Sequence, residues 1–278
     1  MLAKFVDDYC LARDLSASYV DQLQRSLRLF AAWLERPAAF EDFADDTLNR
    51  FLRERQESVG PATLRTNRGH LLALWRSAYD EGKIDRLPGR IRLPKRIRKE
   101  IEGPDRAALR RMLAEARRLP GVNRRTGIPY SRFFVAVIYL CWDCAMRRGD
   151  LLSLRKENIR GNMLSKVQNK TGHVHRARLR PVTLKALASI HRGRQFAELL
   201  PWRQHLSHFD HMFTRLKRKS GMTMRGNTQA IRRSRATYAD QQRAGDGPRI
   251  LGHKSYDLYE RFYRVDRIAE KVPEALDL

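Results

Sequence analysis

The sequence predicts a mainly α protein of two domains, an amino-terminal helical bundle and a larger, mostly helical domain carrying a small antiparallel β-sheet. Three observations lead there. Apolar residues recur at helical spacing from Ser16 to Glu81. The stretch IDRLPGRIRLPKRIRKEIEG, residues 84–103, then has two prolines, many cations and no amphipathic repeat. Further on, Asn162 to Leu179 breaks into two or three short strand-like runs about a turn at Lys170-Thr171-Gly172.

In chain order, Ser16 is placed to cap a helix running to Trp33, with Tyr19, Leu23, Leu27, Phe30 and Leu34 on its apolar side. Acidic residues start the next helix, which faces inward through Phe43, Leu48, Phe51 and Leu52. Val59-Gly60-Pro61 interrupts the pattern, and a helix from Ala62 to Glu81 follows with Leu64, Leu71, Leu72, Trp75, Ala78 and Tyr79 as its core face. Arg65, Thr66, Asn67, Arg68 and His70 occupy its other side, a set suited to base edges and phosphates in a major groove. Residues 1–83 thus form the first domain. Residues 84–103 read as a basic linker whose Lys95, Arg96 and Arg98 can track a phosphate backbone. Pro104-Asp105 opens a helix over Ala107–Leu119 and with it the second domain, 104–278.

Arg132 to Cys144 is an apolar helix. Gly149 and Asp150 signal a turn and a fresh helix start, with Leu151, Leu152 and Leu154 packing inward, so Arg147 falls where an apolar helix ends and a cation can be held rigidly. Helical patterns return over Val182–Arg192 and Pro201–Ser220. Cys141-Trp142-Asp143-Cys144 is a lone CxxC inside an apolar helix and reads as a pair of buried thiols. His205, His208 and His211 are spaced three apart. That spacing drifts around a helix, so they read as a partly exposed helix face and not as a metal site.

Composition bounds the function. The chain has 278 residues, enough for two cores, with 56 Lys+Arg against 31 Asp+Glu and a formal charge of +25 spread over both halves. Phosphates reward such an excess through counterion release, which points to nucleic acid. No apolar run of ~20 residues spans a membrane, no secretory signal opens the chain, and three sparse cysteines fit a reducing cytoplasm.

Thr228 to Tyr263 concentrates the chemistry. Arg232 lies in a basic helical segment, His253 follows a Leu251-Gly252 turn, and Tyr263 comes one short helix later. An arginine grips phosphate oxygens through its planar fork, a histidine adds a donor, and a phenolic oxygen can attack phosphorus. Lys170, on a hairpin turn, can carry the proton that a departing oxygen needs.

With these residues in place the chain resembles the tyrosine recombinase (phage integrase) family over nearly its whole length. SASYVDQLQRSLRLFAAWL and PATLRTNRGHLLALWRSAYDEGKI resemble the family's core-binding, SAM-like domain. AMRRGDLLSLR resembles the first catalytic box, NKTGHVHRARL the lysine hairpin, AIRRSRAT the second box and LGHKSYDLYERFY the closing box. The resemblance implies Arg147, Lys170, Arg232 and His253 as catalytic residues, Tyr263 as nucleophile and Asp150 as a helper orienting the arginines. Gln229 stands where the family usually has histidine, three positions before the arginine; it can hydrogen-bond a phosphate but cannot shuttle a proton. Tyr256 and Tyr259 fall too early for the motif.

The activity implied is cleavage and rejoining of double-stranded DNA through a 3′-phosphotyrosyl intermediate, with no metal or other cofactor. The resemblance further implies that the two domains close around the duplex and that the protein assembles as dimers and tetramers on DNA. A carboxyl-terminal segment with Ile268, Val272 and Leu276 would then dock on a neighbour. The core-binding pattern begins close to Met1, so the family's optional arm-binding domain is not expected. Two other readings stay open: strand relaxation of the type IB topoisomerase kind, and a DNA-binding relative impaired by Gln229.

Overall fold

The computed structural model describes residues 2–93, 100–252 and 255–269. It divides into two compact units, residues 1–98 and 99–278.

The first unit holds helices α1 (Leu2–Ala12), α2 (Ala17–Trp33), α3 (Asp45–Gln56) and α4 (Pro61–Asp80). In α1, Leu2, Phe5, Val6, Tyr9 and Cys10 are buried, an i, i+3, i+4, i+7, i+8 stripe that the sequence reading left unassigned. Phe30, Phe43, Phe51 and Trp75 form the aromatic centre of the core. Ser16 sits at the N-cap of α2, though its side chain makes no capping bond. Pro61 occupies the first turn of α4, where its missing N–H costs nothing.

Two features of this unit differ from expectation. Asn67 and His70 are buried, not presented to solvent. Ser26 Oγ lies 2.8 Å from His70 Nδ1 and accepts from Asn67 Nδ2 at 2.9 Å, while Arg55 Nε donates to Asn67 Oδ1 at 2.9 Å. The α4 helix packs against α1, α2 and α3, so it buries a wider arc than its apolar residues mark, and the polar side chains on that arc find internal partners. Arg65 and Thr66 remain exposed, and half-buried Arg68 donates from Nε to the Ile91 carbonyl at 3.1 Å.

The second difference concerns the stretch assigned to the linker. Its first residues belong to this unit. Ile91 is buried in the core, Trp75 Nε1 donates to the Arg86 carbonyl at 2.9 Å, and Asn49 and Asp45 bond the backbone at residues 89–92. Lys95, Arg96 and Arg98 lie outside the described residues.

The second unit is organised on α6 (Tyr130–Cys144). Phe133, Phe134, Ala136, Val137, Ile138, Leu140, Cys141 and Cys144 bury nearly its whole circumference. Around it pack α5 (Arg106–Arg117), α8 (Pro181–His191) and α10 (Thr228–Gln242). Asp105 caps α5 by accepting from Ala108 N at 2.7 Å. A short hairpin, β1 (Val122–Asn123) with β2 (Ile128–Pro129), precedes α6. An antiparallel sheet of β3 (Ile159–Arg160), β4 (Met163–Val167) and β5 (Val174–Arg178) follows α7 (Arg148–Leu152), and Val167 pairs with Val174 across its turn. The remaining helices are α9 (Leu206–Lys219), α11 (Asp246–Leu251), α12 (Tyr256–Phe262) and α13 (Asp266–Ala269).

Cys141 and Cys144 are wholly buried, and burial pushes the Cys144 thiol up to about 12, so these are protonated core thiols. His205 caps α9 by accepting from Ser207 N at 3.2 Å, and the His208 ring stacks on Trp202. His205 and His211 are exposed, so the three histidines point to different surroundings. Among the described residues no helix is long and apolar enough to cross a membrane.

Candidate active site

The end of α6 fixes the site. Ala145 terminates that helix in the left-handed region, at φ 47°, and its carbonyl accepts from Arg232 Nη1. Arg232 rises from α10 and is 0% exposed. Its Nη2 donates to the Leu251 carbonyl at 3.0 Å, at the end of α11. Burial lowers the Arg232 pKa, the neighbouring Tyr263 raises it and Arg147 lowers it further. Among the described residues its partners are carbonyls and a phenol, with no carboxylate in a salt bridge to it, so a buried cation sits at the site with its charge uncompensated.

Arg147 is the N-cap residue of α7, two residues beyond that helix end. Its Nη1 donates to Gln168 Oε1 at 2.7 Å. Arg147 and Arg232 are therefore delivered by different elements to one place, near enough that each charge weighs on Tyr263.

Tyr263 follows α12 directly, and Arg232 lies over its ring, 5.4 Å from the centroid. Burial raises the phenol pKa. The charge of Arg232, a hydrogen bond with Gln229, the charge of Arg147 and a hydrogen bond with Arg232 lower it, and the balance falls below the ordinary tyrosine value. The two neighbouring tyrosines go the other way. Tyr259 is fully buried and burial raises its pKa strongly. Tyr256 donates to Asp240 Oδ2 at 2.8 Å, and that bond raises it. Of the three, Tyr263 alone is shifted downward. It lines a cavity of about 370 Å³ together with Gln229, Arg233, Leu258 and Phe262.

Gln229 stands in the first turn of α10, one turn from Arg232, and reaches the Tyr263 phenol. Lys170 is exposed on the β4–β5 turn. Asp150 is buried, and its Oδ1 accepts from Asn169 N at 2.7 Å. Among the described residues it bonds the hairpin turn and neither arginine directly. His253 lies outside the described residues.

Two residues here escaped the sequence reading. Gln168 and His175 are buried beneath the hairpin, 3.3 Å apart through Nε2 and Nδ1. Strand alternation places His175 on the inner face of β5 with Ala177, and that was the available signal.

No family model matches the chain, and no curated protein matches it. Solved structures do. A lambda integrase tetramer bound to a Holliday junction superposes with a TM-score of 0.77 at 16% identity, over 99% of this chain and 80% of that one. A lambda integrase dimer bound to a COC′ core site gives 0.75 at 19% identity, with the same coverage. The Tn1549 transposon integrase in complex with circular intermediate DNA gives 0.72 at 11% identity, over 94% of each chain. At such identities the likeness is one of fold.

Proposed function

We propose that this chain, which has the fold of the tyrosine recombinases, is a site-specific DNA recombinase that cuts and rejoins strands through a covalent tyrosyl intermediate. The observation that carries the reading is geometric: Arg232, wholly buried and held by two carbonyls, lies over the Tyr263 ring at 5.4 Å from its centroid, and the shift of that phenol, opposite to that of its two neighbours, agrees.

A phosphodiester entering beside Tyr263 meets two guanidinium groups. Arg147 and Arg232 neutralise its non-bridging oxygens and stabilise the charge that grows on them as phosphorus becomes five-coordinate. The Tyr263 oxygen attacks in line and its proton leaves to solvent, since the Gln229 amide cannot take it. The O–P bond to tyrosine forms, the P–O5′ bond breaks, and Lys170 gives its proton to the departing 5′-oxygen. The strand is left as a 3′-phosphotyrosyl ester with a free 5′-hydroxyl. A 5′-hydroxyl from another strand reverses the step. The phosphodiester energy is held in the ester, and the proposed reaction takes no metal or nucleotide.

DNA holding falls to the cationic surface. The +25 charge, and exposed Arg65 and Thr66 with Arg68 on α4, support contacts to the duplex. The similar integrases were solved as dimers and tetramers on DNA, and we extend that assembly to this chain.

The test is recovery of DNA joined to the protein. The purified chain is incubated with fragmented DNA and denatured, and the protein-linked fragments are sequenced. A recombinase gives fragments joined through 3′ ends, with recurrent junction sequences and free 5′-hydroxyls. Recovery no greater than that of Tyr263→Phe would overturn the reading.

A further inference from the structure

Gln168 follows β4, two residues before Lys170, and is 1% exposed. Its orientation is fixed by what surrounds it. Oε1 accepts from Arg147 Nη1 at 2.7 Å and from Thr171 Oγ1 at 2.9 Å. Nε2 lies 3.3 Å from His175 Nδ1 and 3.5 Å from the Leu251 carbonyl. His175 Nε2 is 2.7 Å from the Cys144 carbonyl, which can only accept, so Nε2 carries the proton and Nδ1 is free to accept from the amide. The Leu251 carbonyl also takes the bond from Arg232. Gly252 leaves room for this approach, since a Cβ there would stand 3.0 Å from Gln168 Nε2.

One amide thus touches the first arginine, the turn that carries the lysine, and the carbonyl that holds the second arginine. We propose that Gln168 is a positioning residue that locks the Lys170 hairpin to the arginine pair, so that proton donor and phosphate clamp reach the DNA in register. The inference rests on the reading of the site as a strand-cleaving centre. Asp150 holds the same turn from the opposite side through Asn169 N, and the Gly172 amide closes it on the Gln168 carbonyl at 2.9 Å. With the amide gone, Arg147 loses its acceptor and Thr171 its tether, while the turn keeps its backbone bonds and the contacts of Asn169 with Asp150 and Ser153.

The test separates positioning from bulk stability. Wild type, Gln168→Met, Thr171→Val and Lys170→Ala are compared on nicked duplexes carrying a recovered junction sequence, with oxygen or sulfur as the bridging 5′ atom. A 5′-thiolate leaves without a proton, so sulfur bypasses the lysine. Lys170→Ala is expected to recover on sulfur. Gln168→Met is expected to lose about tenfold or more on oxygen, the scale of a misplaced catalytic group, and to recover part of that on sulfur. Thr171→Val alters an exposed turn and gives the same pattern more weakly. An equal loss on both substrates would overturn the proposal.

Amide exchange at Gln168, Asn169 and Gly172 is read in parallel. Faster exchange there in Gln168→Met, with α6 unchanged, supports the lock, and unchanged exchange overturns it. If wild type forms no adduct on either duplex, the strand-cleavage reading fails, and the exchange measurement still decides whether Gln168 closes the turn.

Discussion

Arg232→Met separates the two duties a buried arginine can have. Methionine is apolar and flexible enough to fill much of the same space, so the cavity left is small. The substitution orphans the Ala145 and Leu251 carbonyls, at about 1–3 kcal/mol each when nothing replaces the donor. Leu251 keeps the Gln168 amide at 3.5 Å, which softens its share. Against this, removing a cation that no carboxylate among the described residues compensates returns on the order of 1–4 kcal/mol of desolvation and repulsion from Arg147. The two sides nearly cancel, and we expect unfolding free energy within about 2 kcal/mol of wild type by denaturant titration.

Cleavage has no such cancellation. Losing one donor aimed at the transition state costs roughly 100- to 1000-fold in adduct formation. Inorganic phosphate should raise the melting temperature of wild type and leave Arg232→Met unmoved, because a ligand stabilises only the state that binds it. Adduct formation within about threefold of wild type would remove Arg232 from the transition state. Destabilisation beyond about 4 kcal/mol would make it a structural strut.

Other outcomes can be measured on the same preparations. Since Tyr263 is held below the ordinary phenol value of 10.0, its contribution to stability is full above that value and is lost as pH falls through the lower folded value. The Tm difference between wild type and Tyr263→Phe should therefore grow with pH on the alkaline side, and Arg147→Met should shrink it. His70 and His175 are held below 6.5 by burial, so the unfolded chain takes up protons first and stability should fall as pH drops below that value. Asn67→Ala should cost about 1–3 kcal/mol in denaturant titration by stranding Arg55 and Ser26, with little change in DNA affinity; the reverse pattern would restore Asn67 to the interface. Gly247→Ala should lower the melting temperature, by about 1–3 kcal/mol of overpacking, because its Cβ would meet the Tyr259 ring at 2.7 Å and Asp240 Cβ at 2.9 Å.

What the sequence disclosed follows from where each signal lives. Arg147, Arg232 and Tyr263 sit next to local punctuation: a helix end, a basic helix and a short helix after a turn. Those boundaries are written in neighbouring residues, so their placement was legible. The α6 helix was legible too, its expected start at Arg132 being two residues late, because buried periodicity is strong over that length. Asn67 and His70 were misread because one helix's polar side does not reveal how many neighbours surround it, and Ser26 is 41 residues from Asn67. Gln168 and His175 were missed because their partners, Arg147 and the Cys144 carbonyl, are brought in by other elements. Residues 84–93 look like a linker in composition, yet Ile91 and the backbone beside it are held by α3 and α4. Asp150 drew notice beside Arg147, while its bond to the hairpin depended on the strand pairing that sets where Asn169 falls.

The left-handed residue closing α6 has one more consequence. By turning its oxygen toward Arg232, Ala145 lets the negative pole of a fifteen-residue helix steady the guanidinium. Dipoles hold a cation in place without discharging it, whereas a carboxylate would have spent its pull beforehand. Among the described residues no carboxylate pairs with that guanidinium, so its charge is left open to an anion.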